Sequence, residues 1–394
     1  VKTVTKGAGS TLGGVGLIIV LGAALGQLMT DCGASKKIAD TIVAHCGVRM
    51  LKWGVLAVGV IFGISMFFEV AFMVVVPLVI SIAKEAKIPY MFLIIPVLAA
   101  VAQAHSIFPP QPGPVALVDA FGADGGMVYL LGLVVVIPSI ICAGIILPKF
   151  LKGIDTFAAP KLGNIDETSL GSFKLPSFII CLLIPLIPAI FMIGHTIIAN
   201  FVAKGTIVYT VFDFLGSPNV SLLLAVLVAM YVFGVRAGRT ISETSDSITS
   251  AIKSISTVVM IIGAGGVFKQ VIVDAGVGQH IAAAVTGLSI SPLILAFFIT
   301  VVIRWATGQG AVSAITAAGI VAPLIPVFNV NPTLLMLATA AGSNTITMPN
   351  DAAFWMMKET FNLTIGQTFK TWGLLELINS VVGLCMVLIL SLFI

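Results

Sequence analysis

Residues 22–39 read GAALGQLMTDCGASKKIA and residues 265–282 read GGVFKQVIVDAGVGQHIA; aligned without gaps, the two stretches share six identities, among them Gln27 with Gln270, Asp31 with Asp274 and Gly33 with Gly276. Apolar low-complexity sequence does not repeat a Gln, an Asp and a Gly at one spacing by chance, so the chain reads as a duplicated unit. Further matches follow in the same order at slightly shifted offsets: Pro77-Leu78 with Pro323-Leu324, and Ile107-Phe-Pro-Pro110-Gln with Ile346-Thr-Met-Pro349-Asn. The expected organisation is a first repeat half over residues 1–160, linking spans and a loop over 161–253, and a second half over 254–394. Lys36, Lys37, Arg49 and Lys52 follow Asp31-Cys-Gly33, whereas no Lys or Arg follows Asp274-Ala-Gly276 until Arg304. Basic residues collect on cytoplasmic loops, so the two copies are predicted to lie in opposite orientations. Inverted repeats of that kind hold a solute near the bilayer midplane, at broken helices whose ends face each other.

Composition sets the medium in which the repeat folds. Hydrophobic residues make up 59% of the chain and charged residues only 9%, a balance no soluble domain can bury. Between Lys52 and Lys84 the only charge is Glu69, and no Asp, Glu, Lys or Arg occurs from Leu175 to Ala203 or from Ala275 to Ile303. Each run is long enough to cross a bilayer, and without alternating short segments it is helical, not a barrel strand. The predicted class is an all-α polytopic membrane protein, an inverted-repeat helical bundle with broken helices or re-entrant hairpins. Ile241–Ser256, rich in Ser and Thr, reads as an amphipathic or loop segment. Cys32, Cys46, Cys142, Cys181 and Cys385 are too scattered for a disulfide framework or thiolate metal site, and neither metal nor cofactor is expected. The net charge of +4 is that of cytosolic loops and implies no nucleic-acid partner. Lys2 and Lys6 precede no short apolar core, so no cleavable leader is expected.

Gly, Pro and polar residues interrupt the apolar runs at four matching places: Gly63-Ile-Ser65, His105–Pro114, Thr307-Gly-Gln-Gly310 and Gly342–Asp351. Unwound backbone at membrane depth survives only where protein or a wet cavity covers it, and half-helix N-termini there can receive a carboxylate. The polar groups at the breaks are therefore candidate solute ligands: Ser65, His105, Gln111, Thr307, Gln309, Ser343, Asn344, Thr345 and Asn350. Glu69, alone in its apolar run, and Asp351, beside a break, are candidate proton carriers, because an intramembrane carboxylate must be protonated, paired or hydrated. For Glu69 the alternative is an ion pair with Arg304 or Lys269; for Asp351 and His105 it is helix capping. Arg304 is the basic residue placed to attract an anion. Asp31 and Asp274, each before a Gly, are expected to cap turns.

Phe67-Phe-Glu69-Val, Pro109-Pro-Gln-Pro-Gly-Pro114, Thr316-Ala-Ala-Gly319 with Ala322-Pro323, Asn350-Asp351 followed by Phe354-Trp355, and Lys370-Thr-Trp372 occur in an order that resembles the gluconate permease family. Members of that family are gluconate:proton symporters of bacterial inner membranes, with related carriers for idonate, fructuronate and D-serine. The resemblance implies a multi-pass secondary transporter taking up a small sugar acid with protons. A carrier of D-serine or another small carboxylate with a different coupling ion is the alternative, and assembly as a homo-oligomer is left open. The family pattern has His where this chain has Gln111, and Ser-His-Val-Asn-Asp where it has Thr347-Met-Pro-Asn-Asp351, so two imidazoles are missing from the expected site wall. A channel would draw its symmetry from an oligomeric ring, whereas here an internal duplication supplies it. An intramembrane enzyme lacks its signatures, since His45, His105, His195 and His280 are not in HExxH spacing and no GxSxG occurs.

Overall fold

A computed structural model describes residues 2–65, 67–151, 153, 176–275 and 290–394; several side chains within the helices, including those of Glu69 and Lys269, lie outside the description. Among the described residues the chain is helical, with no strand. The first half contains α1 (Lys2–Asp31), α2 (Ala34–Ser65), α3 (Phe68–Glu85), α4 (Met91–Ile107), α5 (Pro112–Phe121) and α6 (Gly125–Ile140). The link contains α7 (Phe178–Phe201), α8 (Ile207–Gly216) and α9 (Pro218–Ala229). α10 (Ile241–Asp274) crosses the expected boundary between the link and the second half at residues 253 and 254, and the stretch expected as the second half continues with α11 (Pro292–Thr307), α12 (Gly310–Val321), α13 (Leu324–Phe328), α14 (Pro332–Ser343), α15 (Ala352–Thr360), α16 (Ile365–Thr368) and α17 (Leu374–Leu390). Among the described residues, five helical stretches are long and apolar enough to cross a membrane: Met91–Phe121, Gly125–Lys149, Phe178–Ala199, Pro218–Ala237 and Ile365–Leu390.

The repeat is legible in the order of elements. In each half a long helix is followed by two helices separated by a very short break, then by a helix that breaks and resumes, then by an apolar span: α1 with α2/α3, α4/α5 and α6, against α10 with α11/α12, α14/α15 and α17. The long helices α1 and α10 pack along each other. Their shared signature has a common function, since Gln27 Nε2 donates to Asp31 Oδ1 at 2.7 Å and Gln270 Nε2 donates to Asp274 Oδ1 at 2.7 Å. The two aspartates thus accept from one turn back within their own helices, where turn capping was expected, and Asp31 also lies 3.9 Å from Arg239. Ile241–Ser256 is no loop: it opens α10 and runs without interruption into the apolar segment. Its Ser and Thr hydroxyls fold back on helix carbonyls, as with Thr244 on Thr240 and Thr249 on Ser245, which satisfies them without unwinding the backbone.

Three of the expected breaks lie within the stretches that the sequence marked, and the fourth, expected at Gly63-Ile-Ser65, falls just after it, since α2 stays helical through Ser65. Pro109 and Pro110 have no N–H to continue α4, and the chain resumes at Pro112, the helix position where a missing N–H costs nothing. Gly308 closes α11 in the left-handed region at φ 78°, and α12 starts two residues later. The second break of that half runs from Asn344 to Asp351. In the first half α2 ends at Ser65 and α3 starts at Phe68.

Candidate functional site

The breaks converge on one cavity of about 130 Å³. Its walls come from the start of α3 (Phe67, Phe68), the end of α4 (His105, Ser106), the start of α5, the α11–α12 turn, the α14–α15 break and α17. Broken helix ends from residues 67–114 and from residues 304–353 thus open on a common space.

Charge in the cavity comes from the second half. Arg304 is 4% exposed, in the last turn of α11. Its Nη2 donates to Asp351 Oδ2 at 2.6 Å and lies 3.6 Å from Glu376 Oε2, while Nη1 donates to the carbonyl of Gly308. The guanidinium therefore tethers the C-terminal end of its own helix and spans two carboxylates. Asp351 caps α15, its Oδ1 accepting from the Ala353 N–H at 2.8 Å. Glu376 is 4% exposed in the first turn of α17. Arg304 Nε and the indole N–H of Trp372 are buried donors with no hydrogen-bond partner. Next to them α12 presents the start of its helix: Gln309, its cap, makes no side-chain bond to it, and the first amide to find an intrahelical partner is that of Ser313, on the Gln309 carbonyl. The amides of Gly310, Ala311 and Val312 are left over at the positive end of the helix dipole, and all three residues line the cavity. Free N–H groups, an unused guanidinium donor and an indole donor form a receptor for an anionic oxygen group.

The neutral candidates divide into two sets. His105, Gln309, Ser343 and Asn344 line the cavity, with His105 packed against the rings of Phe67 and Phe68 at 6.5 Å between centroids. Ser65, Gln111, Thr307, Thr345 and Asn350 are not among the lining residues. Ser65 and Thr307 donate into their own helices, to Ile61 and Ile303. Asn350 donates to the carbonyls of Trp305 and Ala306 at 3.0 and 3.3 Å, tying the two second-half breaks together. Gln111 holds the equivalent junction in the first half, donating to the carbonyls of Gly63 and Ile64 at 3.1 Å each. Gln111→Ala leaves both buried carbonyls at the end of α2 without that donor. A loss of about 1–3 kcal/mol is expected, read as a lower unfolding temperature of the purified protein in detergent, with Gln111→Glu failing to restore it because its carboxylate cannot donate.

Glu69 belongs to α3, and its side chain lies outside the described residues. Arg304, its suggested partner, is paired with Asp351 and Glu376. Three polar residues escaped the sequence reading. Glu376 is a single charge in an apolar span, the same signal that marked Glu69. Gln103 and Asn379 lie deep in α4 and α17, and Asn344 Nδ2 donates to Gln103 Oε1 at 2.7 Å while Asn379 Nδ2 donates to the Ala99 carbonyl at 3.0 Å. This uncharged network joins the cavity wall to both halves.

A family model described as GntP family permease matches residues 1–393. Among curated proteins, the chain is 51% identical to a high-affinity gluconate transporter of Escherichia coli K12, over 99% of this chain and 88% of the relative. It is 39% identical to a gluconate permease of Bacillus subtilis 168, over 100% of this chain and 89% of that one, and 38% identical to the Gnt-II system L-idonate transporter of Escherichia coli K12, over 99% and 88%. Among solved structures, the YdaH transporter of Alcanivorax borkumensis, whose topology is described as unusual, superposes with a TM-score of 0.70 at 15% identity, covering 98% of this chain and 86% of that one. That likeness concerns the fold.

Proposed function

Because this chain belongs to the GntP permease family, we propose that the transporter takes up gluconate or a closely related sugar acid together with protons. It is a multi-pass protein of the bacterial inner membrane, and a transporter rather than an enzyme. The observation that carries the substrate class is the set of donors around Arg304: its free Nε, the Trp372 indole and the α12 amides, gathered where the broken helices meet. A sugar-acid carboxylate suits those donors. Its hydroxyls suit the neutral polar wall of Ser106, Gln309, Ser343 and Asn344, and the Phe67 and Phe68 rings close the apolar side. The breaks supply half-helix ends around one cavity, and in carriers built from inverted repeats such ends hold the solute.

The charge balance supports proton coupling. Arg304 faces two carboxylates, so an incoming anion meets a site that is already negative unless an acid there is protonated. The experiment is uptake of labelled gluconate into proteoliposomes, with the interior made alkaline or left equal to the bath. Accumulation above the bath concentration only under the proton gradient is the expected result. Uptake that a sodium gradient drives and a proton gradient does not would replace the coupling ion. A flux that no gradient concentrates would mean a channel. If gluconate is inert while D-serine or glycerate accumulates, the fold stands and the substrate changes.

A further inference from the structure

We propose that Glu376 is the acid that takes up and releases the coupled proton, and that Asp351 is the fixed counterion that holds Arg304 in place. This rests on reading the cavity as the transport site and goes further by dividing the two carboxylates between distinct tasks.

Their surroundings differ in kind. Asp351 is fully committed: one oxygen takes the Arg304 guanidinium at 2.6 Å, the other takes the Ala353 amide at 2.8 Å, and the residue sits at the positive end of α15. The ion pair requires an ionised Asp351 and the cap is stronger with one, so protonating Asp351 would break the ion pair and weaken the cap. Glu376 is held loosely. Its Oε2 stands 3.6 Å from Arg304, beyond hydrogen-bond range, and accepts from no donor, although the side chain is only 5% exposed. The neighbours on its own helix are Leu374, Leu375, Leu377 and Ile378. The groups that face it across the cavity are Arg304 on α11, Asp351 at the start of α15 and His105 on α4, with the Trp372 indole one turn before it; among the described residues no other charged side chain lines the cavity.

One guanidinium balances one carboxylate, and Asp351 has the shorter contact, so Glu376 supplies the surplus negative charge. A proton from water on the loading side, bound to a Glu376 oxygen as an O–H, removes that surplus and leaves the Arg304–Asp351 pair intact. The cargo carboxylate can then approach Arg304 Nε and the α12 amides without facing a second unbalanced anion, and the new O–H can donate to it. On the unloading side the O–H gives its proton to water, the carboxylate is regenerated, and its charge helps to expel the cargo. Loading of proton and anion is thereby made mutually dependent, which is what symport needs.

The first test needs no substrate. Infrared difference spectra of the reconstituted protein, stepped from alkaline to acid pH, report the C=O stretch of a buried carboxylic acid. The band is expected in the wild type and in Asp351→Asn, shifted in Glu376→Asp and absent in Glu376→Gln. Identical spectra for wild type and Glu376→Gln overturn the assignment, as does a band that vanishes only in Asp351→Asn. The second test uses labelled gluconate. Glu376→Gln is expected to lose gradient-driven accumulation by tenfold or more while exchange across equal concentrations persists, reduced and no longer dependent on pH. Accumulation at the wild-type level overturns the assignment, and so does a Glu376→Asp variant that loses exchange and accumulation together, the mark of a structural residue. If gluconate is not the cargo, the wild type fails the second test while the infrared result still decides the role of Glu376.

Discussion

Arg304→Gln is expected to abolish transport and to be the most damaging polar substitution in the chain. Among the described residues the guanidinium is the only Arg or Lys cation lining the cavity, and its removal leaves Asp351 and Glu376, 6% and 4% exposed, without the charge that lies between them. Breaking a buried ion pair from one side costs roughly 3–5 kcal/mol, because the surviving charge stays buried. Here two charges survive, and the tether to the Gly308 carbonyl is lost as well. The expected readouts are uptake reduced by about a hundredfold or more and a sharply lower yield of monodisperse protein. Loss of folding and loss of function can be separated with the double variant Arg304→Gln/Asp351→Asn. Removing one of the stranded carboxylates should restore much of the yield but none of the uptake. Arg304→Lys should fold and transport poorly, since a point charge cannot engage Asp351, Gly308 and the cavity at once. Wild-type uptake by Arg304→Gln would remove this residue from the site altogether.

Gly63→Leu carries the second large expected effect, this time through packing. Gly59 and Gly63 lie four residues apart on α2, and both face the backbone of α4: a Cβ on Gly59 would come within 2.5 Å of the Val97 carbonyl oxygen, and one on Gly63 within 2.6 Å of the Val101 carbonyl oxygen. Paired small residues at this spacing let membrane helices approach to backbone contact. The second half makes the corresponding approach with the glycine on the other partner, where Gly342 of α14 meets the Phe297 carbonyl of α11 at 2.6 Å from its would-be Cβ. Even Gly63→Ala requires the helices to separate, at about 1–3 kcal/mol. Leucine needs a displacement that would also pull the Gly63 and Ile64 carbonyls away from Gln111. Expected results are no recoverable folded protein for Gly63→Leu and a lower unfolding temperature for Gly63→Ala. Gly366→Ala, in open space, serves as the control that changes neither. A stable Gly63→Leu carrier would mean that the close packing of α2 on α4 does not hold the first half together.

The fold could be read from sequence because its determinants are local or periodic. Long uncharged runs dictate helices, and Pro109-Pro-Gln-Pro-Gly-Pro114 or Thr307-Gly-Gln-Gly310 cannot continue one, so the breaks were visible as residue types. The role of each polar side chain at a break was not. Gln111, Asn350 and Asn344 look alike in sequence. One fastens α2, another fastens the α11 end, and the third lines the cavity, and the difference depends on which helix lies opposite. Glu376 stood out in the sequence as a lone charge in its apolar span, as Glu69 did, but nothing near it in the chain points to Arg304, the cation it lies beside. Of the two readings of Ile241–Ser256, the amphipathic one holds, with Thr244, Ser247, Ala251 and Ile255 on the buried face; the loop reading fails because the Ser and Thr hydroxyls are absorbed by helix carbonyls one turn back.

The count of charges at Arg304 also bears on bioenergetics. Unloaded, the cluster of one guanidinium and two carboxylates is net −1. With a proton on Glu376 and a monoanionic cargo bound, it is again net −1. A carrier whose moving site has the same charge full and empty transfers none across the bilayer, so a membrane potential, worth about 2.3 kcal/mol per charge per 100 mV, does no work on it. Uptake would then track the pH difference alone and continue at full strength in a cell whose electrical gradient has collapsed.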